Sequence, residues 1–282
     1  MWYNESMVSK TLKSIESPYL SMDRVKISDP ESERFEKHCH DGYEFIFFVQ
    51  ANCEYVVEDN TYCVGSGDAI LIPPGKYHFL KPSGMKTYDR AVFSFSENLF
   101  PYPGFMDEVA ALGNYFSSES YPESAKKAQE FLSLCRDMDA AHSAIYAIAA
   151  LTEIFLLLLS APKTEQNAQT DSLCSRAIRY ISDNLSEIQS TEDIAKGLFS
   201  SRSALQHAFR KNLDIPVMQY VRMKRLFAVR QFVAKGDTLA AAAEKAGYDD
   251  YTTFYRAHKA YFGYSPTKDK PRKTLKEVKN HE

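Results

Sequence analysis

The sequence lacks the features that would identify a secreted or membrane protein. Its five cysteines form no CxxC pair, and an odd number at wide spacing favours reduced thiols over a disulfide framework. Residues 1–20 are polar and mixed, unlike a signal peptide. The most apolar segment, Ala144–Leu159, is interrupted by Thr152 and Glu153 and falls short of the roughly 20 residues that span a bilayer. We therefore expect a cytoplasmic protein with no membrane partner.

Signatures of common enzymes are also missing. No Ser-His-Asp arrangement, Walker loop or GxGxxG stretch stands out. The 282 residues suffice for two domains, and the net charge of −3 is unevenly spread. Residues 172–282 carry 20 Lys and Arg against 12 Asp and Glu, a net +8, whereas residues 1–171 carry 14 against 25, a net −11. This asymmetry is typical of one domain that binds nucleic acid and one that does not, with an ordinary solvated surface as the alternative.

Residues 190–212, STEDIAKGLFSSRSALQHAFRKN, read as two helices joined by a tight turn. Ser190 or Thr191 can cap the first helix, and Ser200 or Ser201 can cap the second. The second helix has an inward apolar side formed by Leu205, Ala208 and Phe209. Its outward side carries Arg202, Ser203, Gln206, His207 and Arg210. These side chains can donate hydrogen bonds to phosphates or to base edges in a major groove, as a helix-turn-helix requires.

The same plan recurs about fifty residues later, over Leu239–Pro266. Small apolar residues precede Gly247 at the turn, and Phe254 then matches Leu205 of the first unit. Between the two units, Val217–Lys235 reads as a long helix, which we interpret as a rigid spacer. Its inward residues are Tyr220, Val221, Phe227 and Val233, and its polar residues are Arg222, Lys224, Arg225 and Arg230.

This tandem arrangement resembles the DNA-binding region of the AraC/XylS family of transcriptional regulators, over about Leu173–Lys270. Two departures stand out: Phe199 replaces a frequent glycine, and His258 replaces a usual phenylalanine. The resemblance implies DNA contacts from Ser201, Arg202, Ser203, Gln206, His207, Arg210, Tyr251, Thr252, Thr253 and Arg256. It also implies a small-molecule effector, favours activation of metabolic genes with a sugar as the effector, and makes RNA polymerase a candidate partner.

The first hundred residues contain many short strand-like segments separated by turns, which predicts a barrel or sandwich. Asp59-Asn60 and Pro73-Pro74-Gly75 mark two of the turns. The predicted strands are His38–Gln50, Cys53–Glu58, Thr61–Val64, Ala69–Ile72, Tyr77–Lys81 and Tyr88–Phe95, with an edge strand before Ile27.

Four polar residues of this region share a spacing with a known pattern. His38, His40 and Glu44 have the same parity, so an extended chain puts them on one face. Together with Gly67-x5-Pro73-x-Gly75-x2-His78 they resemble the two cupin motifs, although Pro82 stands where the usual closing Asn would be. In metal-binding cupins such residues hold a divalent ion, and imidazole with carboxylate suits iron, manganese, zinc or nickel. We favour an effector pocket without cofactor formed by these four residues, with a metal site as the alternative.

The pattern becomes helical after Pro103. Helices are predicted over Phe105–Phe116 and Glu123–Ser160, the second broken near Met138–His142. Ala144–Leu159 is too apolar to face water on all sides, so it packs on the barrel or on a second chain. A coiled-coil-like seam of Ile145, Ile148, Thr152, Phe155 and Leu159 favours a homodimer.

We therefore expect an α+β chain of two domains, a cupin-like β-barrel with a helical connector and an all-α domain with two helix-turn-helix motifs. The expected segments are a sensor barrel at 1–104, a connector and dimerisation region at 105–160, a linker at 161–171, the DNA-binding domain at 172–270 and a tail at 271–282. The expected function is ligand-responsive transcription regulation, not enzymatic catalysis. The alternatives are a cupin metalloenzyme that carries a DNA-binding domain and a DNA-architectural protein without ligand.

Overall fold

The computed structural model describes residues 9–30, 35, 37–162 and 171–268, which form two compact units: described residues of 9–57 and 61–162 in the first, and 58–60 with 171–268 in the second. The described strands, all in the first unit apart from Asn60, are β1 (Ser9–Glu16), β2 (Leu20–Ser28), β3 (Tyr43–Gln50), β4 (Asn52–Val57), β5 (Asn60–Gly65), β6 (Ala69–Ile72), β7 (His78–Pro82), β8 (Thr87–Phe95) and β9 (Tyr115–Phe116). Its helices are α1 (Phe105–Ala110), α2 (Pro122–Leu134) and α3 (Ala140–Ser160). The second unit contains α4 (Leu173–Asp183), α5 (Thr191–Gly197), α6 (Arg202–Leu213), α7 (Val217–Ala234), α8 (Leu239–Lys245) and α9 (Tyr251–Phe262).

The first unit is built on two β-sheets. One has the strand order β1-β2-β8-β3-β6-β9, and the other has the order β5-β4-β7. On β3, Ile46 and Phe48 belong to the core between the sheets, whereas Phe45 and Phe47 belong to the core shared with α1–α3. Because both faces are buried, the strand is a nearly continuous apolar run. The regular elements described within residues 171–268 are all helices, and the predicted fold class is confirmed.

The strand predicted from His38 begins only at Tyr43, so that prediction is wrong for its first five residues. The segment before β3 is held by β7 and the loop preceding it. The amide of His38 donates to the carbonyl of His78 (3.2 Å), the His78 amide donates back to His38 (3.0 Å), and the Gly75 amide donates to the carbonyl of His40 (2.8 Å). Because residues 38–40 are bonded to β7 and to the loop before it, they do not form part of strand β3.

The helix predicted over Phe105–Phe116 is also shorter than expected, because α1 ends at Ala110. Gly113 adopts a left-handed conformation with φ of 106°. Beyond it, the Asn114 carbonyl accepts from the Leu71 amide (2.8 Å) and the Asn114 side chain donates to the Leu71 carbonyl (2.8 Å). Tyr115 and Phe116 therefore add a short edge strand to β6.

Helix α3 packs one face on the first sheet, and the break predicted before it is present. Phe155, predicted on the dimer seam, is fully buried instead, with its ring 5.4 Å from Phe45. The apolar residues that do face outward include Ile145, 69% exposed, and Leu156, 53% exposed. By length and composition alone α3 could cross a membrane, but 44% of its most apolar 18-residue window is buried within the protein. The helix therefore gives no membrane assignment.

Helix α7 links the two helix-turn-helix motifs within the second structural unit. Its Tyr220 ring lies 5.5 Å from Phe209 of α6, and its Phe227 ring lies 5.7 Å from Phe262 of α9. Both contacts are edge-on aromatic pairs in the core. The helix thus contacts both recognition helices, which agrees with the predicted role of a spacer.

Arg225 of α7 was predicted on the polar side of this helix, and that prediction is wrong. The residue is 8% exposed. Its Nε and Nη2 atoms donate to the Leu185 carbonyl at 3.1 and 3.0 Å, and Nη2 also donates to the Ile188 carbonyl. The guanidinium therefore satisfies backbone acceptors of the loop between α4 and α5 that would otherwise be buried without donors.

The turns of the two helix-turn-helix motifs differ in their surroundings. Phe199 in the first turn has φ of 52° and is 99% exposed. Gly247 in the second turn has φ of 91°, and a β-carbon there would lie 2.5 Å from the Ser186 carbonyl oxygen and 2.8 Å from Nη2 of Arg225. The first turn tolerates a side chain because it points into solvent, whereas the second turn has no room for one.

Residues 163–170 of the predicted linker and the whole predicted tail lie outside the described residues. The domain boundaries therefore stay predictions.

Replacing Arg225 by Met should destabilise the second unit by about 3 kcal/mol, because the loop carbonyls lose their donors. Arg222 on the same helix is exposed, so Arg222→Met is the matched control and should change stability by less than about 0.5 kcal/mol. Urea unfolding followed by circular dichroism measures both. Equal stability of the two variants would contradict the structural role of Arg225.

Candidate functional site

The first helix-turn-helix is fixed by caps at both of its helices. Ser190 and Asp193 form a capping box on α5, in which the Ser190 amide donates to Asp193 (2.7 Å) and the Asp193 amide donates to Ser190 (3.4 Å). Ser201 caps α6 by accepting from the amide of Ala204 (3.1 Å). Of the two candidates predicted for each cap, Ser190 and Ser201 fill the role.

The predicted outward face of α6 lies in solvent. Leu205 and Phe209 are fully buried. The exposed predicted DNA contacts are Ser201, Arg202, Ser203, His207 and Arg210, and Gln206 is half-buried. The face therefore presents two guanidinium groups, an imidazole and an amide to solvent, and these can donate to phosphates and base edges.

The second recognition helix is more acidic at its start. Asp250 caps α9, accepting from the Thr253 amide (2.8 Å) and from the Thr253 hydroxyl (2.7 Å). These bonds lower the pKa of Asp250 below its ordinary value, so it is a charged cap at neutral pH. Tyr251, Thr252 and Arg256 are exposed as predicted. The Thr253 hydroxyl proton is used within the helix, which leaves only its oxygen for DNA.

In the first unit, the four residues predicted from the cupin-like spacing do meet, but not by the predicted route. Only Glu44 lies on a strand face of β3, while His38 and His40 precede that strand. His78 starts β7 and is bonded to His38 through the backbone bridge described above. One ligand atom from each of His38, His40 and His78 lies within 4.8 Å of the other two.

Two of the imidazoles have a fixed orientation. Nδ1 of His40 donates to the Gly42 carbonyl (2.8 Å), and Nδ1 of His78 donates to the Lys76 carbonyl (2.8 Å). A carbonyl can only accept, so each Nδ1 carries a proton, and each Nε2 faces the cluster as a lone pair in the neutral ring or as a second donor in the charged ring. Both Nε2 atoms are buried without a hydrogen-bond partner. They face the Glu44 carboxylate at 3.5 Å from His40 and 3.4 Å from His78.

Glu44 is ionised in this environment. Burial raises its pKa, but the nearby His40 and His78 outweigh burial, and the pKa lies well below its ordinary value. An ionised carboxylate and two Nε2 atoms that face one another need a positive charge among them, either a second proton on a ring or a bound cation. Three imidazoles and one carboxylate, with Nδ1 protons held by carbonyls, fit a divalent transition metal, and they equally fit a polar ligand that donates hydrogen bonds.

Sequence analysis missed Arg90 on β8 as a member of the barrel interior. Its Nε atom is buried without a hydrogen-bond partner, and its Cζ lies 5.5 Å from the ring centre of Tyr88. Burial raises the pKa of Tyr88 to about 12, an effect that Arg90 partly offsets. The signal in the sequence was an arginine at the same parity as Tyr88 and Val92 in a predicted buried strand.

Comparison with known proteins agrees with both halves of this architecture. The AraC-like ligand-binding domain model matches residues 25–158, and a helix-turn-helix domain model matches residues 194–271. The Msm operon regulatory protein of Streptococcus mutans serotype c is 23% identical over 257 residues, 86% of this chain and 86% of that protein. The HTH-type transcriptional activator AarP of Providencia stuartii is 30% identical over 97 residues, 34% of this chain and 72% of that protein.

Among solved structures, the AraC-like transcriptional activator CuxR aligns with a TM-score of 0.43 and 15% identity, covering 84% of each chain. The two domain models follow one another in the order of the two structural units and together match three quarters of the chain. A ligand-binding domain followed by a helix-turn-helix domain places this chain in the AraC family of transcriptional regulators.

Proposed function

We propose that this regulator binds double-stranded DNA through α6 and α9 and changes its action on transcription when a small molecule occupies the barrel. The observation that carries the DNA part is the pair of solvent-exposed recognition faces on α6 and α9, both held by α7. Two such helices on one domain suit successive major grooves, about 34 Å apart on one side of the duplex.

The two recognition faces are unequal in charge, and we infer unequal roles for them. The α6 face carries Arg202, His207 and Arg210, whereas α9 carries Arg256 and Lys259 but begins beside exposed Asp249 and Asp250. Carboxylates near a phosphate backbone weaken electrostatic attraction. Helix α6 therefore supplies most of the affinity and base reading, with Gln206 suited to adenine and Arg202 to guanine.

We propose that the regulator activates transcription of metabolic genes and has RNA polymerase as a partner. Its proposed location is the cytoplasm. AarP, the relative described above, is named an activator, which supports this direction. A carbohydrate is one class of effector within this proposal. The chain acts by binding, not by turning over a substrate.

The effector site proposed here is the cluster of His38, His40, Glu44 and His78. Buried polar atoms without partners cost free energy, on the order of 1–3 kcal/mol each, so the two free Nε2 atoms support a site that is completed by a bound group. A divalent metal is the second candidate for the same residues. A bound metal would supply a positive charge and open coordination positions for an effector's oxygen atoms.

A homodimer through α3 is the last part of the proposal. The outward residues of this helix recur at spacings of four, three and four, and we call them the α3 outer face: Ile145, Ala149, Thr152 and Leu156. The Thr152 hydroxyl donates to the Ile148 carbonyl (2.8 Å), so this residue offers its methyl group outward. An apolar stripe with this period matches a second copy of the same helix.

Replacing Arg202 by Ala should weaken binding of the full chain to its operator by about 10- to 100-fold, because a base-reading guanidinium is lost. Binding to unrelated DNA should weaken much less. Arg179→Ala removes the same charge from exposed α4 and serves as the control, with a change below about threefold. Fluorescence anisotropy titrations with operator and scrambled duplexes measure the dissociation constants of both variants. Equal losses for both variants would contradict base reading by α6.

Replacing His40 and Glu44 together by Ala should abolish the effector response of an operator-driven reporter across carbon sources and leave operator binding intact. His142→Ala removes an exposed histidine from α3 and should respond as the wild type does. Metal analysis of the purified proteins separates the two candidates. A stoichiometric ion in the wild type that the double variant lacks would establish the metal site, and a normal response of the double variant would place the sensor elsewhere.

Replacing Leu156 by Glu should convert the dimer into a monomer at about 20 µM protein, because a charge cannot be buried unpaired in an apolar seam. Light scattering coupled to gel filtration reports the mass. Lys126→Glu on the exposed side of α2 is the control and should leave the dimer unchanged. A wild-type protein that is monomeric at this concentration, with and without DNA, would rule out the α3 interface.

A further inference from the structure

Arg90 lies on the side of β8 that faces the barrel interior. On β8 it shares parity with Tyr88 and Val92, which belong to the core between the two sheets, and it pairs with Phe48 of β3. The alternate residues Ala91 and Phe93 belong to the core against the helices. The half-buried side chain therefore enters the space between the sheets, where its Nε is buried without a hydrogen-bond partner.

No carboxylate of the described residues forms an ion pair with Arg90. Its neighbours are a tyrosine and a thiol that stay neutral, because burial raises the pKa of both Tyr88 and Cys53 to about 12. The Tyr88 hydroxyl interacts with the Arg90 guanidinium and has no further hydrogen-bond partner. Glu44 acts on Arg90 through charge, but its carboxylate lies beside His40 and His78.

Another arginine in the same sheet shows how this chain satisfies a partly buried guanidinium. Arg24 on β2 forms a bidentate pair with Asp89, at 3.1 Å from Nε and 3.0 Å from Nη2. Asp89 directly precedes Arg90 but belongs to the opposite parity of β8. An uncharged side chain at position 90 would avoid the buried Nε–H that has no acceptor, so stability alone does not explain the arginine.

The groups around Glu44 and around Arg90 lie at opposite ends of one stretch of the barrel interior. Along β3, Glu44 pairs with Ser94 and Phe48 pairs with Arg90, so the two ends are four residues, or roughly 13 Å, apart. Tyr55 lies between them, with its ring 6.3 Å from His78 and 5.8 Å from Phe48. This stretch of the interior therefore offers two imidazole Nε2 atoms and a carboxylate at one end, aromatic rings in the middle, and a guanidinium with a hydroxyl at the other end.

We propose that the effector is a small organic acid whose carboxylate pairs with the Arg90 guanidinium and accepts a hydrogen bond from the Tyr88 hydroxyl. This inference rests on the proposed role of the barrel as the effector site. The planar guanidinium matches the two oxygens of a carboxylate, and a single positive charge matches a single negative one. Hydroxyl groups on the rest of the molecule, as in a sugar acid, would reach the Nε2 atoms of His40 and His78. A neutral sugar would leave Arg90 without a counter-charge.

The first test needs no effector. In the full chain, Arg90→Met should raise the melting temperature of the barrel by a few degrees, because it removes a buried donor that has no acceptor and keeps the side-chain length. Arg24→Met, which breaks a satisfied pair, should lower it. Differential scanning calorimetry measures both. A fall for Arg90→Met as large as that for Arg24→Met would overturn the inference, because Arg90 would then be satisfied within the protein.

The second test uses acetate as the smallest stable carboxylate probe. At about 50 mM and constant ionic strength, replacement of chloride by acetate should raise the wild-type melting temperature by about 2–4 °C and leave that of Arg90→Met unchanged. The same rise in both proteins would overturn the inference.

In the reporter assay, Arg90→Met should lose the effector response and keep operator binding. A normal response of Arg90→Met, with loss in the His40→Ala, Glu44→Ala double variant, would overturn the carboxylate contact but leave the barrel as the sensor. Normal responses of both would overturn the proposed sensor site as well.

Discussion

The six-stranded sheet has to bury side chains on both of its faces, because helices cover one face and the second sheet covers the other. This constraint explains why β3 alternates between two apolar cores instead of between a core and solvent. It also leaves little room for polar groups within the barrel. The polar side chains that do enter it, around Glu44 and around Arg90, therefore carry an energetic cost that the apolar packing has to outweigh.

The histidine cluster is held in place by the backbone. Carbonyls of Gly42 and Lys76 accept the Nδ1 protons, and a pair of backbone bonds joins His38 to His78. The free nitrogens are thereby aimed at one point before any partner arrives. Preorganisation of this kind reduces the entropy lost on binding, which is useful in a sensor that has to respond to a small molecule.

The sequence predicted which helices and strands form more accurately than the residues at which they begin and end. Periodicity and caps located both helix-turn-helix units, because Leu205 and Phe254 repeat the same inward position and Ser190 and Ser201 are good caps. Parity predicted that His38, His40 and Glu44 would meet, but the strand begins only at Tyr43, and the meeting depends on bonds to β7 that no local pattern encodes. The inward position of Arg225 and the missing acceptor for Nε of Arg90 were likewise invisible, because each depends on residues distant in sequence.

The two turns of the duplicated motif have unequal freedom to vary. Phe199 sits in a left-handed conformation with its side chain in solvent, so neighbouring structure places no limit on the size of the residue there. Gly247 is enclosed by the Ser186 backbone and by Arg225, and only glycine fits. Substitutions that alter surface chemistry can therefore be accepted at the first turn but not at the second, so the two similar motifs differ in their tolerance of change.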